Sequence, residues 1–299
     1  MGFSACWFLK GLDKNEWPLH SKSGKPFGIQ LWSVRQDMAM DPKGTLRALS
    51  QYGYTQIETF GDGDPMNMFW SMGPREFGNY LGGLGLQVVS GHCDAAYTYD
   101  MSRREEFIKL AADASSIGMK YLINPFMVQL KSIEAFKKAA DQFNKQGEIC
   151  KKAGLRFGYH NHNYSFRKID GIFPQDILME YTDPALVDFE MDIYWVVDAG
   201  QDPVEWIKKY PGRFRLCNLK DHFSDAITAE LIKKEKPDEP ELGLNVSCDL
   251  GKGKIDFKPI LQAAASSGMK YYFIEQERYT GSTALESARK NAAFLKNML

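Results

Sequence analysis

A single closed (β/α)8 barrel is the fold class this sequence predicts, on three observations. A unit of helix, glycine, short apolar strand and polar residue recurs: Gly53 leads to Glu58, Gly85 to His92, Gly118 to Asn124, Gly154 to His160, Gly212 to Asn218 and Gly268 to Glu275. Two copies are nearly the same text, running Ala114-Ser115-Ser116-Ile117-Gly118-Met119-Lys120-Tyr121 to Asn124 and Ala265-Ser266-Ser267-Gly268-Met269-Lys270-Tyr271 to Glu275. Apolar segments near 27–32, 55–59, 86–91, 120–124, 155–160, 186–192, 214–219 and 270–275 alternate with helical patterns. Strands alternating with helices form parallel βαβ units, and eight such units in about 270 residues match a closed barrel. An open dinucleotide-binding sheet carries GxGxxG after its first strand, where this chain has Leu31-Trp32-Ser33-Val34-Arg35.

In order, residues 1–26 form a polar leader and 27–299 the barrel. The leader lacks the apolar stretch of an export signal. Its Phe3-Ser4-Ala5-Cys6 has the form of a lipoprotein cleavage box with nothing hydrophobic before it, so both a cytoplasmic and a periplasmic location stay open. Asp41-Pro42 starts a helix through Thr45, Leu46 and Leu49, with proline in the first turn, and Gly53 ends it by turning the chain in a left-handed conformation. Phe107, Leu110, Ala111, Ala114 and Ile117 mark the buried face of one later helix, and Phe136, Ala139, Ala140, Phe143 and Cys150 that of the next. Leu285, Ala288, Ala292 and Leu295 repeat the pattern at the C-terminus. A long irregular insertion, Phe223 to Gly253, follows the seventh strand on the face where barrels carry their substrate loops.

Composition narrows the partners. With 37 basic and 38 acidic residues the formal net charge is −1, so there is no electrostatic footprint for nucleic acid or an anionic membrane. No apolar run approaches the ~20 residues that span a bilayer. Five scattered cysteines without a CxxC pair read as buried thiols rather than a disulfide framework or a thiolate metal site. The outer helices are compatible with a homo-oligomer.

Strand ends of a barrel converge on one mouth, which gathers Glu58, His92, Asn124, His160, His162, Asp192, Asn218, Lys220, Asp221, Glu275 and Glu277 as candidates. Singly, each has a structural explanation as a cap or a satisfied core residue; the recurrence at nearly every strand is what points to a site. Carboxylate and imidazole without thiolate suit Mn²⁺, Mg²⁺, Co²⁺ or Zn²⁺. Such an ion polarises a carbonyl while a carboxylate beside it moves the proton on the neighbouring carbon, chemistry that fits a small-molecule sugar. Trp32, Phe126, Tyr194 and Trp195 are placed to stack on a sugar face.

The runs Gly28-Ile29-Gln30-Leu31-Trp32-Ser33-Val34-Arg35, Ser90-Gly91-His92, Tyr159-His160-Asn161-His162, Met191-Asp192-Ile193-Tyr194-Trp195, Asn218-Leu219-Lys220-Asp221, Gly251-Lys252-Gly253-Lys254-Ile255-Asp256-Phe257 and Ile274-Glu275-Gln276-Glu277 resemble the bacterial sugar phosphate isomerase/epimerase family of xylose-isomerase-like TIM barrels, over about residues 27 to 299. The resemblance implies a metal site from the ends of the fifth to eighth strands. It falls on His160 in place of the usual Glu, Asp192, Asn218 in place of the usual His, and Glu275. Asn218 offers a neutral oxygen, a weaker ligand than imidazole, and His222 is a substitute within reach in sequence. Ser165 stands where Glu is usual and Glu277 where Asp is usual.

The implied activity is a metal-dependent isomerase or epimerase. Glu275 serves as ligand and general base, His160 and Asp192 as ligands, and Lys220 as the cation facing the developing oxyanion. Glu58 or His92 is the partner acid, and His92, His162, Trp195, Trp32 and Glu277 contact substrate. A 3-keto-glycoside lyase or hydrolase on the same barrel, and a non-catalytic carbohydrate-binding relative, are the alternatives.

Overall fold

The computed structural model of the chain describes residues 25–61, 67–127, 130–235 and 245–298; residues 1–24, with Cys6 and most of the expected leader, lie outside them. Eight parallel strands close into a barrel: β1 Gly28–Gln30, β2 Gln56–Phe60, β3 Gln87–His92, β4 Tyr121–Asn124, β5 Arg156–His160, β6 Val187–Asp192, β7 Phe214–Leu219 and, after a two-residue ladder, β10 Tyr271–Ile274. Gly28 pairs with Gln56 on one side and Phe273 on the other, which closes the ring. All six glycines of the repeated unit have positive φ, between 71° and 97°, so each helix ends in a left-handed turn that other residues adopt at a cost.

The helix expected from Asp41-Pro42 spans Pro42–Tyr52; the Asp41 side chain accepts from the Gly44 amide and Gly53 closes the far end. The helices at Arg104–Ser116, Ile133–Lys152 and Ala284–Lys296 bury the apolar stripes read from the sequence. Cys93, Cys150, Cys217 and Cys248 are buried free thiols, and no described helix is long and apolar enough to cross a membrane.

Two expectations need correcting. The first strand stops at Gln30 rather than near 32. The Gln30 side-chain oxygen accepts from the Trp32 amide at 3.0 Å and starts a 3-10 turn over Leu31–Val34, so Trp32 sits on a turn. The insertion after the seventh strand is not wholly irregular. Its described part holds a helix, Asp225–Glu235, and a strand, β9 Ser247–Cys248, that pairs antiparallel with β8 Asp221–His222 just before the insertion.

Most of the core lies between the strands and the surrounding helices. A second cluster, Val89, Tyr121, Ile123, Leu216 and Phe273, joins β3 and β4 to β7 and β10. Those pairs are not neighbours in the ring, so the cluster meets across the barrel interior and plugs it below the mouth, as packed barrel layers do.

Candidate active site

Four strands deliver the expected ligand positions side by side. β6 and β7 pair Asp192 with Asn218, His160 ends β5, and Glu275 directly follows β10. Ligand atoms of His160, Asp192 and Glu275 all lie within 4.8 Å of one another, and all three residues are buried. His160 Nε2 is 3.8 Å from Asp192 Oδ2. Asn218 Nδ2 donates to Glu275 Oε2 at 2.6 Å, which aims the amide oxygen elsewhere. Asn218 Oδ1 and Asp192 Oδ2 are both buried with no hydrogen-bond partner among the described residues.

Buried oxygens without donors are costly unless something electropositive faces them. Two carboxylates, an imidazole and an amide oxygen make a fitting set for a divalent cation. Burial pushes the Asp192 carboxyl well above its usual range, against the pull of Lys220, and raises that of Glu275 as well. Both carboxylates thus sit in a place that favours charge only when a cation is near.

One cation is already there. Lys220 is fully buried; its Nζ forms an ion pair with Glu277 and lies 3.8 Å from Glu275 Oε1 and 3.9 Å from Asp192 Oδ2. It also lies over the rings of Tyr194 and Trp195, 4.9 and 5.1 Å from their centroids. Burial alone would discharge this amine, yet Glu277, Glu275 and Asp192 raise its pKa above the ordinary lysine value. Burial acts upward on Glu277, but the Lys220 ammonium outweighs it and brings that carboxyl down to about 2.

A second chain of polar groups runs across the interior. Gln30 Nε2 and the Ser90 hydroxyl donate to the two oxygens of Glu58, at 3.0 and 2.6 Å. His92 Nε2 lies 3.2 Å from Glu58 Oε1 and 2.9 Å from Glu190 Oε2; the same Glu190 oxygen is 3.2 Å from His160 Nδ1. Burial works against charge on His92, but the two carboxylates win and hold its pKa well above the ordinary value. His160 goes the other way, well down, through burial and the positive neighbours His92 and Lys220.

Glu58 therefore lies behind His92, fully buried, with both oxygens engaged. Both Glu58 and Glu190 stand immediately after a shift in strand register, at Ile57/Glu58 and Phe189/Glu190, the kind of irregularity that re-aims side chains near sites. Glu190 is the member that sequence reasoning missed. Its signal was the alternation Asp188, Glu190, Asp192 along one strand, which puts acid after acid on one face of a pleat.

The remaining candidates divide. His162 lies past the end of β5, half-buried between Tyr164 and Trp195, with ring centroids at 5.7 and 5.1 Å. Burial and Lys220 lower its pKa to about 3. Trp32 meets Phe60 edge to face, Phe60 meets Trp70 in the same way, and the Arg35 guanidinium lies over the Trp32 ring. Asn124 ties the loop after β4, donating to Thr98 and accepting from the Phe126 amide. Ser165 meets the Tyr159 hydroxyl.

Asp221 faces away from Lys220, and its carboxylate accepts from the backbone amides of His222, Gly251, Gly253 and Ile255. The Gly-Lys-Gly-Lys-Ile-Asp run is thus the return of the insertion, clamped on one aspartate. His222 is not a substitute ligand here: its Nδ1 contacts the Phe223 carbonyl oxygen at 2.6 Å and its Nε2 faces Asp198 at 3.6 Å.

Fold and site define a barrel with a buried carboxylate–imidazole centre and a lysine at the C-terminal mouth of its strands. Residues 46–298 match the model of the xylose isomerase-like TIM barrel, and the chain belongs to that family. Among relatives, it is 30% identical to an inosose dehydratase of Clostridium tetani (strain Massachusetts / E88) over 148 residues, 48% of this chain and about half (48%) of that protein. It is 27% identical to the inosose dehydratase of Geobacillus kaustophilus (strain HTA426) over 236 residues, covering 72% of this chain and 73% of the relative. A crystal structure of a sugar phosphate isomerase/epimerase from Parabacteroides distasonis ATCC 8503 superposes with a TM-score of 0.75 at 27% identity, covering 93% of this chain and 95% of that one.

Proposed function

We propose that this chain is a divalent-metal-dependent enzyme that moves a proton at the carbon beside the carbonyl of a sugar or sugar-derived ketone, acting as an isomerase or epimerase. The observation that carries the reading is the buried His160–Asp192–Glu275 cluster, with the unpartnered oxygens of Asn218 and Asp192, directly beside Lys220. These four residues would hold the ion, which when bound supplies Lewis-acid polarisation of the carbonyl.

Glu275 Oε1, the oxygen not engaged by Asn218, is the base; its proton affinity is raised by burial, as a base working near neutral pH requires. Lys220 is held charged by Glu277 and meets negative charge as it develops on the sugar oxygen. His92 is anchored through Nε2, and its Nδ1 has no partner among the described residues, which makes it the group that returns a proton. Trp195 and His162 provide a flat wall for a sugar face.

A second reading shares the first step and ends in elimination, with His92 protonating the departing oxygen. The relatives named inosose dehydratase favour it, and cleavage of a 3-keto-glycoside is the same chemistry with a larger leaving group. The purified protein loaded in turn with Mn²⁺, Co²⁺, Zn²⁺ or Mg²⁺ is incubated with ketoses, inososes and 3-keto-glycosides in D2O. Deuterium beside the carbonyl together with an isomeric product supports the first reading. An unsaturated ketone or a released aglycone selects the second, and no exchange with any metal and substrate leaves a carbohydrate-binding relative.

A further inference from the structure

Resting on the metal reading above, we propose that Glu190 is a positioning residue: its Oε2 accepts the Nδ1–H of His160 and so fixes the tautomer that leaves Nε2 free as a ligand. A ligating imidazole is neutral and carries one proton, so the site works only if that proton is on the nitrogen turned away from the ion. The two ring nitrogens of His160 have different surroundings. Nδ1 lies 3.2 Å from Glu190 Oε2, within hydrogen-bond reach. Nε2 lies 3.8 Å from Asp192 Oδ2, too far for a hydrogen bond, and faces the cluster that includes Glu275.

Glu190 is placed to serve the two imidazoles beside it. It is fully buried, two residues below Asp192 on the same strand face, and does not reach the mouth. No arginine or lysine pairs with it among the described residues. Its Oε2 is shared by two imidazoles, His92 Nε2 at 2.9 Å and His160 Nδ1 at 3.2 Å, whose rings meet edge to face with centroids 4.9 Å apart.

One oxygen thus orients both rings: the ligand and the proton-carrying histidine. Carboxylates behind metal-bound histidines fix the tautomer and raise ligand basicity, and removing them weakens metal affinity by about 10- to 100-fold. A cation held by His92, His160 and Glu190 themselves would have to displace both hydrogen bonds and turn Nδ1 of His160 into the ligand.

The test uses metal-free protein with ¹⁵N-labelled histidine, His160 being assigned by its disappearance in H160Q. Long-range ¹H–¹⁵N spectra are expected to show the His160 proton on Nδ1 in the wild type and a shift toward the Nε2–H form in E190L. Mn²⁺ affinity by calorimetry should fall by about 10-fold in E190Q, which keeps one acceptor oxygen but sets an amide NH2 in place of the other, and about 100-fold in E190L. Melting curves in chelator report whether each variant folds; E190Q is isosteric and carries the affinity test should E190L not fold. A wild-type His160 protonated on Nε2, an unchanged affinity in folded E190Q, or a second bound ion per chain that E190Q loses, would each overturn the proposal. Absence of Mn²⁺ binding by the wild type would remove the metal reading of the site, whereas the tautomer spectrum still decides the role of Glu190.

Discussion

Replacing Lys220 with methionine is the most demanding test of the site's electrostatics. The ammonium is fully buried and faces Glu277 in an ion pair, with Glu275 Oε1 and Asp192 Oδ2 at 3.8 and 3.9 Å. Methionine keeps the volume and removes the charge. Glu277 titrates at about 2 in the fold against an ordinary 4.5, a depression that corresponds to about 3 kcal/mol. Removing one partner of a buried pair costs about 3–5 kcal/mol, so the two figures agree.

The sign follows from the direction of the shifts. Glu277 is depressed, so its contribution is present above pH ~4.5 and is lost as pH falls toward ~2. Lys220 is raised, so its contribution is intact throughout the acid range. Denaturant unfolding in chelator should therefore find Lys220→Met about 3 kcal/mol less stable than the wild type at pH 7, with the gap narrowing between pH ~4.5 and ~2 as the carboxyls protonate. Adding Glu277→Gln to the variant should recover part of the loss. Equal stabilities at pH 7, or a gap that does not change with pH across that window, would refute the reasoning.

Two further outcomes follow from single side chains. Asp221→Ala leaves four backbone amides, those of His222, Gly251, Gly253 and Ile255, without their acceptor; stability should drop by about 3 kcal/mol, and limited proteolysis should cut within 245–256 before the barrel opens. Asn218→Asp sets a carboxylate where the amide now donates to Glu275 Oε2 at 2.6 Å. Its melting temperature in chelator should fall below that of the wild type and its gain on adding Mn²⁺ should be the larger of the two, because like charges repel until a cation joins them.

The architecture was legible because it is repeated. A helix stripe, a glycine in the left-handed region and a short apolar strand are local signals, each written in adjacent residues, and their recurrence prescribes a ring of parallel strands. Strand ends were legible for the same reason, so His160, Asp192, Asn218 and Glu275 could be named together from spacing and resemblance. The exception, Trp32, lies where a glutamine side chain caps a turn and cuts the strand short, an event no hydrophobic pattern reports.

What tertiary structure alone decided is the wiring inside the ring. His92 on β3 and Glu190 on β6 are 98 residues apart in sequence and have two strands between them in the ring, yet are 2.9 Å apart in the fold, because a contact between strands that are not neighbours must cross the barrel interior. The register shifts before Glu58 and Glu190 place these acids, and a shift of register depends on the neighbouring strand rather than on the residue itself. Adjacent Lys220 and Asp221 show the same division. Strand alternation says that they point opposite ways; only the closed barrel and the returning insertion determine that one faces three carboxylates and the other four backbone amides.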